Sequence, residues 1–308
     1  MSEIDFNGTN LVDGSRRRLG RSAFECGPLA FGCWRFVGMT VEEGQRRIEA
    51  ALDHGLDLID TADVYGLDWG GTAFGQAEEL LGAVLRQAPS LRERMVLATK
   101  GGIQPGVPYD SSTQYLRSAV EASLQRLATD TIDLYQIHRP DPFTHPAELA
   151  ETLDVLRREG KIREVGVSNY TVPQLEALAE VLPFDLATSQ PELSALALAP
   201  IFGGELDVLQ QREIRPLAWS PLGGGRLATG DGVREELISV LDELAERESV
   251  ARTDVALAFV LAHPSKPVAI LGTQTIERIE TAHACCSVRL DRSDVYRIVE
   301  ASTGESLP

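Results

Sequence analysis

MVLATK (95–100), SSTQYLRSAVEASLQRL (111–127) and IDLYQIH (132–138) read in chain order as strand, helix and strand. The outer two are short and largely apolar, which suits parallel strands buried on both faces. The middle one carries Leu116, Val120, Leu124 and Leu127 on one helical face, with Ser111-x-x-Gln114 as its opening signal. A strand, a crossover helix and a second strand form the unit from which parallel sheets are built.

Working outward, the unit repeats. Further apolar runs lie at 29–33, 56–60, 164–168, 186–190, 215–219 and 268–271, which brings the candidate strands to eight. Thr40-Val41-Glu42-Glu43 is a capping box ahead of Ile48, Ala51 and Leu52, and Gly55 stops that helix. Residues 146–159 carry Leu149, Leu153 and Leu156 at helical spacing, and 174–182 carry Leu175, Leu178 and Leu182. Eight strands alternating with helices predict an α/β fold, a closed (β/α)8 TIM barrel spanning 1–308 as one unit. A doubly wound open sheet would announce its nucleotide site with G-x-G-x-x-G after the first strand, and none stands there. Residues 223–251 are too long for a simple turn. Their glycine cluster and acidic helix (233–248) predict an extra helix over the barrel mouth.

Composition bounds the partners. A chain of 308 residues can bury roughly 75% of its unfolded surface without a disulfide or metal staple. The formal net charge of −17 opposes nonspecific binding to nucleic acid or acidic membranes, so an anionic ligand needs a local positive site. No apolar run is long enough to span a bilayer, and the N-terminal residues lack the apolar core of a secretory signal. Cys26, Cys33, Cys285 and Cys286 show no zinc spacing and read as reduced thiols of a cytoplasmic protein without a metal.

In a barrel, chemistry gathers where strands end. The second run ends in Asp60, followed by Thr-Ala-Asp63-Val-Tyr65-Gly66; the third ends in Lys100 and the fourth in His138. Three neighbouring strands thus offer an acid, a phenol, an ammonium and an imidazole to one region. Alone, each has a plain structural reading: a cap, a packed ring, a surface charge, a core histidine. A free tyrosine, with a pKa of about 10, gives up its proton slowly near neutrality. Lys100 is expected to lower that value, and Asp60 to keep Lys100 charged.

The ordered segments IDTADVYG, ATKGG, DLYQIHRPD, GVSNY and AWSPLGGGRL resemble the aldo-keto reductase superfamily, in its bacterial branch with IHRPD and WSPLGGG-type motifs. The resemblance runs from about Leu19 to the last barrel helix. It implies a catalytic tetrad of Asp60, Tyr65, Lys100 and His138, with Asp63 an ordinary loop residue. It also implies a nicotinamide cofactor. Gly32, Cys33 and Trp34 would reach it after strand one. Ser168, Asn169 and Gln190 would face the carboxamide, and Trp219 would stack on the ring. Ser220, Leu222 and Gly224 would approach the pyrophosphate, and Gly272, Gln274, Arg278 and Thr281 the adenosine end. Gly272 stands where some branches carry a basic residue, and Thr281-Ala282 where a Glu-Asn pair is common. Arg278 alone then reads a 2′-phosphate, which implies NADPH as cofactor with NAD as the weaker alternative.

The implied activity is reduction of a small aldehyde or ketone, in which Tyr65 would supply the proton for the developing alkoxide and His138 would place the carbonyl oxygen, with Trp34 and Trp69 as candidate walls of the substrate pocket. Two other classes meet the same residues. One is a lyase using Lys100 as a Schiff-base nucleophile. The other is a noncatalytic nicotinamide sensor or regulatory subunit.

Overall fold

The computed structural model describes residues 9–67 and 70–307. Eight parallel strands close into a barrel: β1 (Leu29–Gly32), β2 (Leu58–Asp60), β3 (Val96–Gly101), β4 (Ile132–Ile137), β5 (Ile162–Ser168), β6 (Thr188–Gln190), β7 (Arg215–Ala218) and β8 (Val268–Leu271). Each pairs with the next in sequence, and β8 returns to β1 through Ile270 opposite Ala30. All eight expected strands are present. Their ends differ by a residue or two from the apolar runs, because ladder hydrogen bonds rather than apolar content define a strand. The run 56–60 narrows to Leu58–Asp60, whereas 164–168 begins earlier, at Ile162.

Alternation of side chains sorts the barrel into two cores. Ala30, Leu58, Val96, Ala98, Leu134, Leu217 and Ile270 share a small inner cluster. Phe31, Ile59, Leu97, Ile137, Val167 and Leu271 belong to the larger cluster beneath the helices. A hairpin of Arg17–Arg18 and Glu25–Cys26 adds Leu19 and Cys26 to the inner cluster, with Phe24 packed against it. Two-residue strands carry no periodicity, so this hairpin was not visible in the sequence. Further along the same strands the inward positions turn polar: Asp60 follows Leu58 by two, Lys100 follows Ala98, and Gln136 follows Leu134.

The main outer helices are α1 (Val41–Asp53), α2 (Gln76–Gln87), α3 (Thr113–Leu127), α4 (Pro146–Arg158), α5 (Val172–Val181), α6 (Glu205–Gln211), α7 (Glu235–Glu248), α8 (Arg252–Leu261), α9 (Ile276–Thr281) and α10 (Arg292–Thr303). The Thr40–Glu43 capping box forms as expected, and Gly55 follows α1 with φ +74°. At α3 the cap is Ser112 rather than Ser111: its side chain accepts from Tyr115 N, while Ser111 is buried and its amide donates to Asp141. The extra helix between β7 and β8 is α7, which packs against α8 and α10. No helix among the described residues is long and apolar enough to cross a membrane.

Gly166 sits among the inward polar side chains, where a Cβ would lie 2.1 Å from Thr188 Oγ1 and 3.0 Å from Gln136 Cγ. Gly166→Ala should therefore destabilise the fold by about 1–3 kcal/mol through overpacking. Urea denaturation should show a lower midpoint at unchanged slope; a wild-type midpoint would mean that this layer yields without strain.

Candidate active site

Lys100 extends inward from β3 and is fully buried. Its ammonium donates to Asp60 Oδ2 at 2.6 Å and to the Thr61 carbonyl at 2.8 Å. Asp60 Oδ1 accepts from Gln136 Nε2 at 3.2 Å and from Gln190 Nε2 at 3.1 Å. Thr188 Oγ1 in turn donates to Gln136 Oε1 at 3.3 Å. A buried ion pair persists only when its remaining lone pairs and protons find partners, and the two amides complete the set around Asp60. Gln136 and Thr61 were not foreseen as members. Gln136 had a signal, a polar residue inside an apolar strand two positions before His138.

Tyr65 lies in the turn after β2. Its amide donates to Ala62 O, and its carbonyl accepts from Ala77 N in the first turn of α2. The Lys100 ammonium is 5.1 Å from the centre of the Tyr65 ring. The His138 ring meets Tyr65 edge-on, with centroids 5.8 Å apart at 80°. The four side chains expected to converge at the ends of β2, β3 and β4 do so.

Proton affinities follow from burial and this one cation. Burial pushes the Lys100 ammonium down, yet Asp60 and Tyr65 hold it above its usual value. Burial pushes the Tyr65 phenol up, and Lys100 offsets this only in part. The expectation that Lys100 would leave the phenol below its ordinary value is thus corrected: the pull is there, but desolvation is larger. Burial, then Lys100 and Arg139, hold His138 well below the usual imidazole range, so its ring is neutral, and its buried Nδ1 has no hydrogen-bond partner among the described residues.

Asp63 lies in the turn after β2, a loop residue as expected, but it is fully buried, and its amide donates to the Lys100 carbonyl at 3.0 Å. Neither carboxyl oxygen has a side-chain partner among the described residues, and burial together with nearby Glu78 pushes its affinity for a proton well up. Glu78 itself is paired with Arg126 at 2.7 Å behind β3.

On the other side of the opening a relay of polar groups connects β5, β6 and β7. Trp219 Nε1 donates to Asn169 Oδ1 at 3.1 Å, Asn169 Nδ2 to Ser168 Oγ at 2.8 Å, and Ser168 Oγ to the Gln190 carbonyl at 3.0 Å. Asn169 and Ser220 both hold left-handed backbone, with φ +59° and +48°. The Gln190 amide belongs to the Asp60 cluster rather than to this relay. Leu222 is half-buried and leads into Gly223–Gly225, where Cβ atoms at Gly224 and Gly225 would meet open space. Gly272 is equally open. Gln274 Nε2 donates to the Gly32 carbonyl at 3.2 Å, while its Oε1 is buried without a partner among the described residues. Cys33 is buried, its amide on the Asp60 carbonyl, and Trp34 is half-buried under the Arg35 guanidinium. Arg278 and Thr281 are exposed on α9. Arg47 reaches across from α1 and donates to the Gln274 carbonyl at 2.8 Å. Trp69 lies outside the described residues.

The profile of the Aldo/keto reductase family matches residues 28–303. A 6-dehydroglucose reductase from Novosphingobium aromaticivorans is 47% identical, covering 95% of this chain and 97% of its own. The Escherichia coli oxidoreductase YdhF is 38% identical over 91% of this chain and 95% of its own. Among solved structures, the thermostable aldo-keto reductase Tm1743, crystallised with the inhibitor epalrestat, superposes with a TM-score of 0.79 at 25% identity, covering 93% of this chain and 99% of that one. With this barrel and this cluster at the ends of its strands, the chain belongs to the aldo/keto reductase family and is an oxidoreductase of that kind.

Proposed function

We propose that the protein is an NADPH-dependent carbonyl reductase in which Tyr65 is the proton donor. The observation that carries this reading is the buried Lys100 ammonium set between Asp60 and Tyr65, with His138 edge-on to the same phenol. We further propose a sugar-derived aldehyde as substrate. Support comes from the relatives named 6-dehydroglucose reductase, at 47% and 36% identity, each matched over more than nine-tenths of both chains.

The residues present fit a nicotinamide dinucleotide. Open glycines at 224, 225 and 272 allow a backbone approach to a pyrophosphate. Gln274 offers a buried oxygen with no partner among the described residues. Arg226 stands exposed after the glycine loop, Arg278 stands exposed on α9, and Arg47 braces the loop between them. Ser168, Asn169 and Trp219 would hold the nicotinamide end, and Arg278 a 2′-phosphate. When bound, such a cofactor supplies hydride to the carbonyl carbon.

The chain's own groups handle the oxygen. Neutral His138 donates one hydrogen bond that orients it. The Tyr65 phenol gives its proton to the developing alkoxide, and Lys100 stabilises the phenolate left behind. Asp60 keeps Lys100 charged and in place. A Schiff-base role for Lys100 asks for a neutral, accessible amine, whereas this one is fully buried and held charged.

Tyr65→Phe should lower kcat by about 10²–10⁴-fold with cofactor affinity little changed. The assay is cofactor oxidation with NADPH or NADH against aldehydes, ketones and 6-dehydroglucose. Near wild-type turnover would assign the proton to another group, and no turnover by the wild type on any carbonyl, with NADPH still bound, would favour the sensor reading.

Lys100→Met removes the charge that pulls the Tyr65 affinity down. The limb on which reduction falls as the phenol ionises should therefore move to higher pH, and alcohol oxidation, which needs phenolate, should fade near neutrality. An unmoved limb would sink the coupling.

Arg278→Ala should weaken NADPH much more than NADH, because a guanidinium can hold the 2′-phosphate through two hydrogen bonds. Dissociation constants for both cofactors in both proteins test this; equal losses would show that Arg278 does not read that phosphate.

A further inference from the structure

The turn Ala282–Ser287, directly after α9, holds His283, Cys285 and Cys286 together. Cys286 Sγ lies 3.7 Å from His283 Nδ1 and 4.0 Å from Cys285 Sγ. Of the four cysteines, Cys286 is the one that is partly exposed; Cys26, Cys33 and Cys285 are buried. The turn packs on α8, and His283 stands over Gly55, ahead of β2. The cluster is therefore at the opposite end of β2 from Asp60, and the reading above gives it no task.

We propose that Cys286 is a modification site, a thiolate paired with the His283 imidazolium that takes one oxygen atom from a hydroperoxide. The groups facing the pair agree on its charge state. The neighbouring Cys285 thiol, then His283, then Arg17 hold the Cys286 thiol below its usual value, against burial. Cys286, and more weakly Asp57, raise the His283 affinity for a proton against burial. Cys285 is pushed the other way by Cys286, by burial and by Asp254, so it stays a thiol.

With hydrogen peroxide, the Cys286 sulfur attacks one oxygen. An S–O bond forms, the O–O bond breaks, and the departing hydroxide takes the His283 proton to leave as water. Sulfur loses two electrons and the peroxide gains them. The product is a sulfenic acid that Cys285 does not resolve. Neighbouring Cα atoms are about 3.8 Å apart across a trans peptide, short of the roughly 4.4–6.8 Å that a relaxed disulfide spans.

The test treats the full chain with dilute hydrogen peroxide in the presence of dimedone, followed by peptide mapping. One adduct per chain is expected, on Cys286. Cys286→Ser should abolish it, Cys285→Ser should retain it, and His283→Asn should slow it at least about tenfold through loss of thiolate. Adducts spread over the buried cysteines, an unchanged rate in His283→Asn, or a Cys285–Cys286 disulfide in place of the adduct would each overturn the proposal. Should His283→Asn fail to fold, alkylation of the wild type by iodoacetamide decides. Cys286 should react about tenfold faster at pH 6 than an unstructured peptide thiol, and a rate equal to the peptide's would count against the thiolate. None of these measurements depends on cofactor or carbonyl, so they stand apart from the reductase reading.

Discussion

The ion pair between Lys100 and Asp60 is the constraint around which the barrel's upper end is arranged. Two fully formed charges taken from water lose several kcal/mol of solvation each, and attraction alone does not restore it. The remaining donors and acceptors must be met inside the barrel. Thr61 O takes a second ammonium proton, and Gln136 and Gln190 meet the free carboxyl oxygen. Those groups come from β3, β2, β4 and β6, so the register of half the barrel is tied to one pair of charges. Gly166 belongs to the same constraint, since β5 crosses where Gln136 and Thr188 leave no room for a Cβ.

That arrangement sets the proton inventory of the site. Desolvation acts in opposite directions on the phenol and the imidazole, and both end neutral: Tyr65 keeps its proton and His138 does not gain one. A fixed cation then sits beneath two neutral donors. This asymmetry suits an acceptor that becomes an alkoxide, because the charge is in place before the oxygen needs it. It also explains why the unexpected height of the Tyr65 affinity does not weaken the assignment. A reductase needs the phenol protonated in its resting form, with the lysine there to receive the phenolate that follows.

Most of this was legible in the sequence because barrel geometry is periodic. Strands β1 to β8 announce themselves as apolar runs, and chemistry in a barrel gathers at the ends where such runs stop. Asp60, Lys100 and His138 could be placed from that rule before any contact was known. What escaped detection lacked a period. The floor hairpin has strands of two residues, and Arg47 looks like any charged residue on a helix face until α1 is set against the loop after β8. The burial of Asp63 escaped for another reason. Its neighbours in sequence are those of a turn, and what buries it, Glu78 on α2 and Gly101 beside Tyr135, arrives from other elements.

Charge placement separates stability from binding in this molecule. With a formal charge of −17, the mean field of the chain opposes any phosphate-bearing ligand. Most arginines away from the mouth are spent on local acids: Arg92 on Asp133, Arg94 on Asp53, Arg252 on Asp242, Arg297 on Glu243. Arg226 and Arg278 stand at the rim between β7 and α9, next to the glycines that leave backbone open. At the other end, apolar Leu19, Phe24 and Cys26 stop the barrel and carry no polar demand. The same eight strands therefore run from an apolar floor, which holds them together, to a polar rim where Arg226 and Arg278 stand exposed.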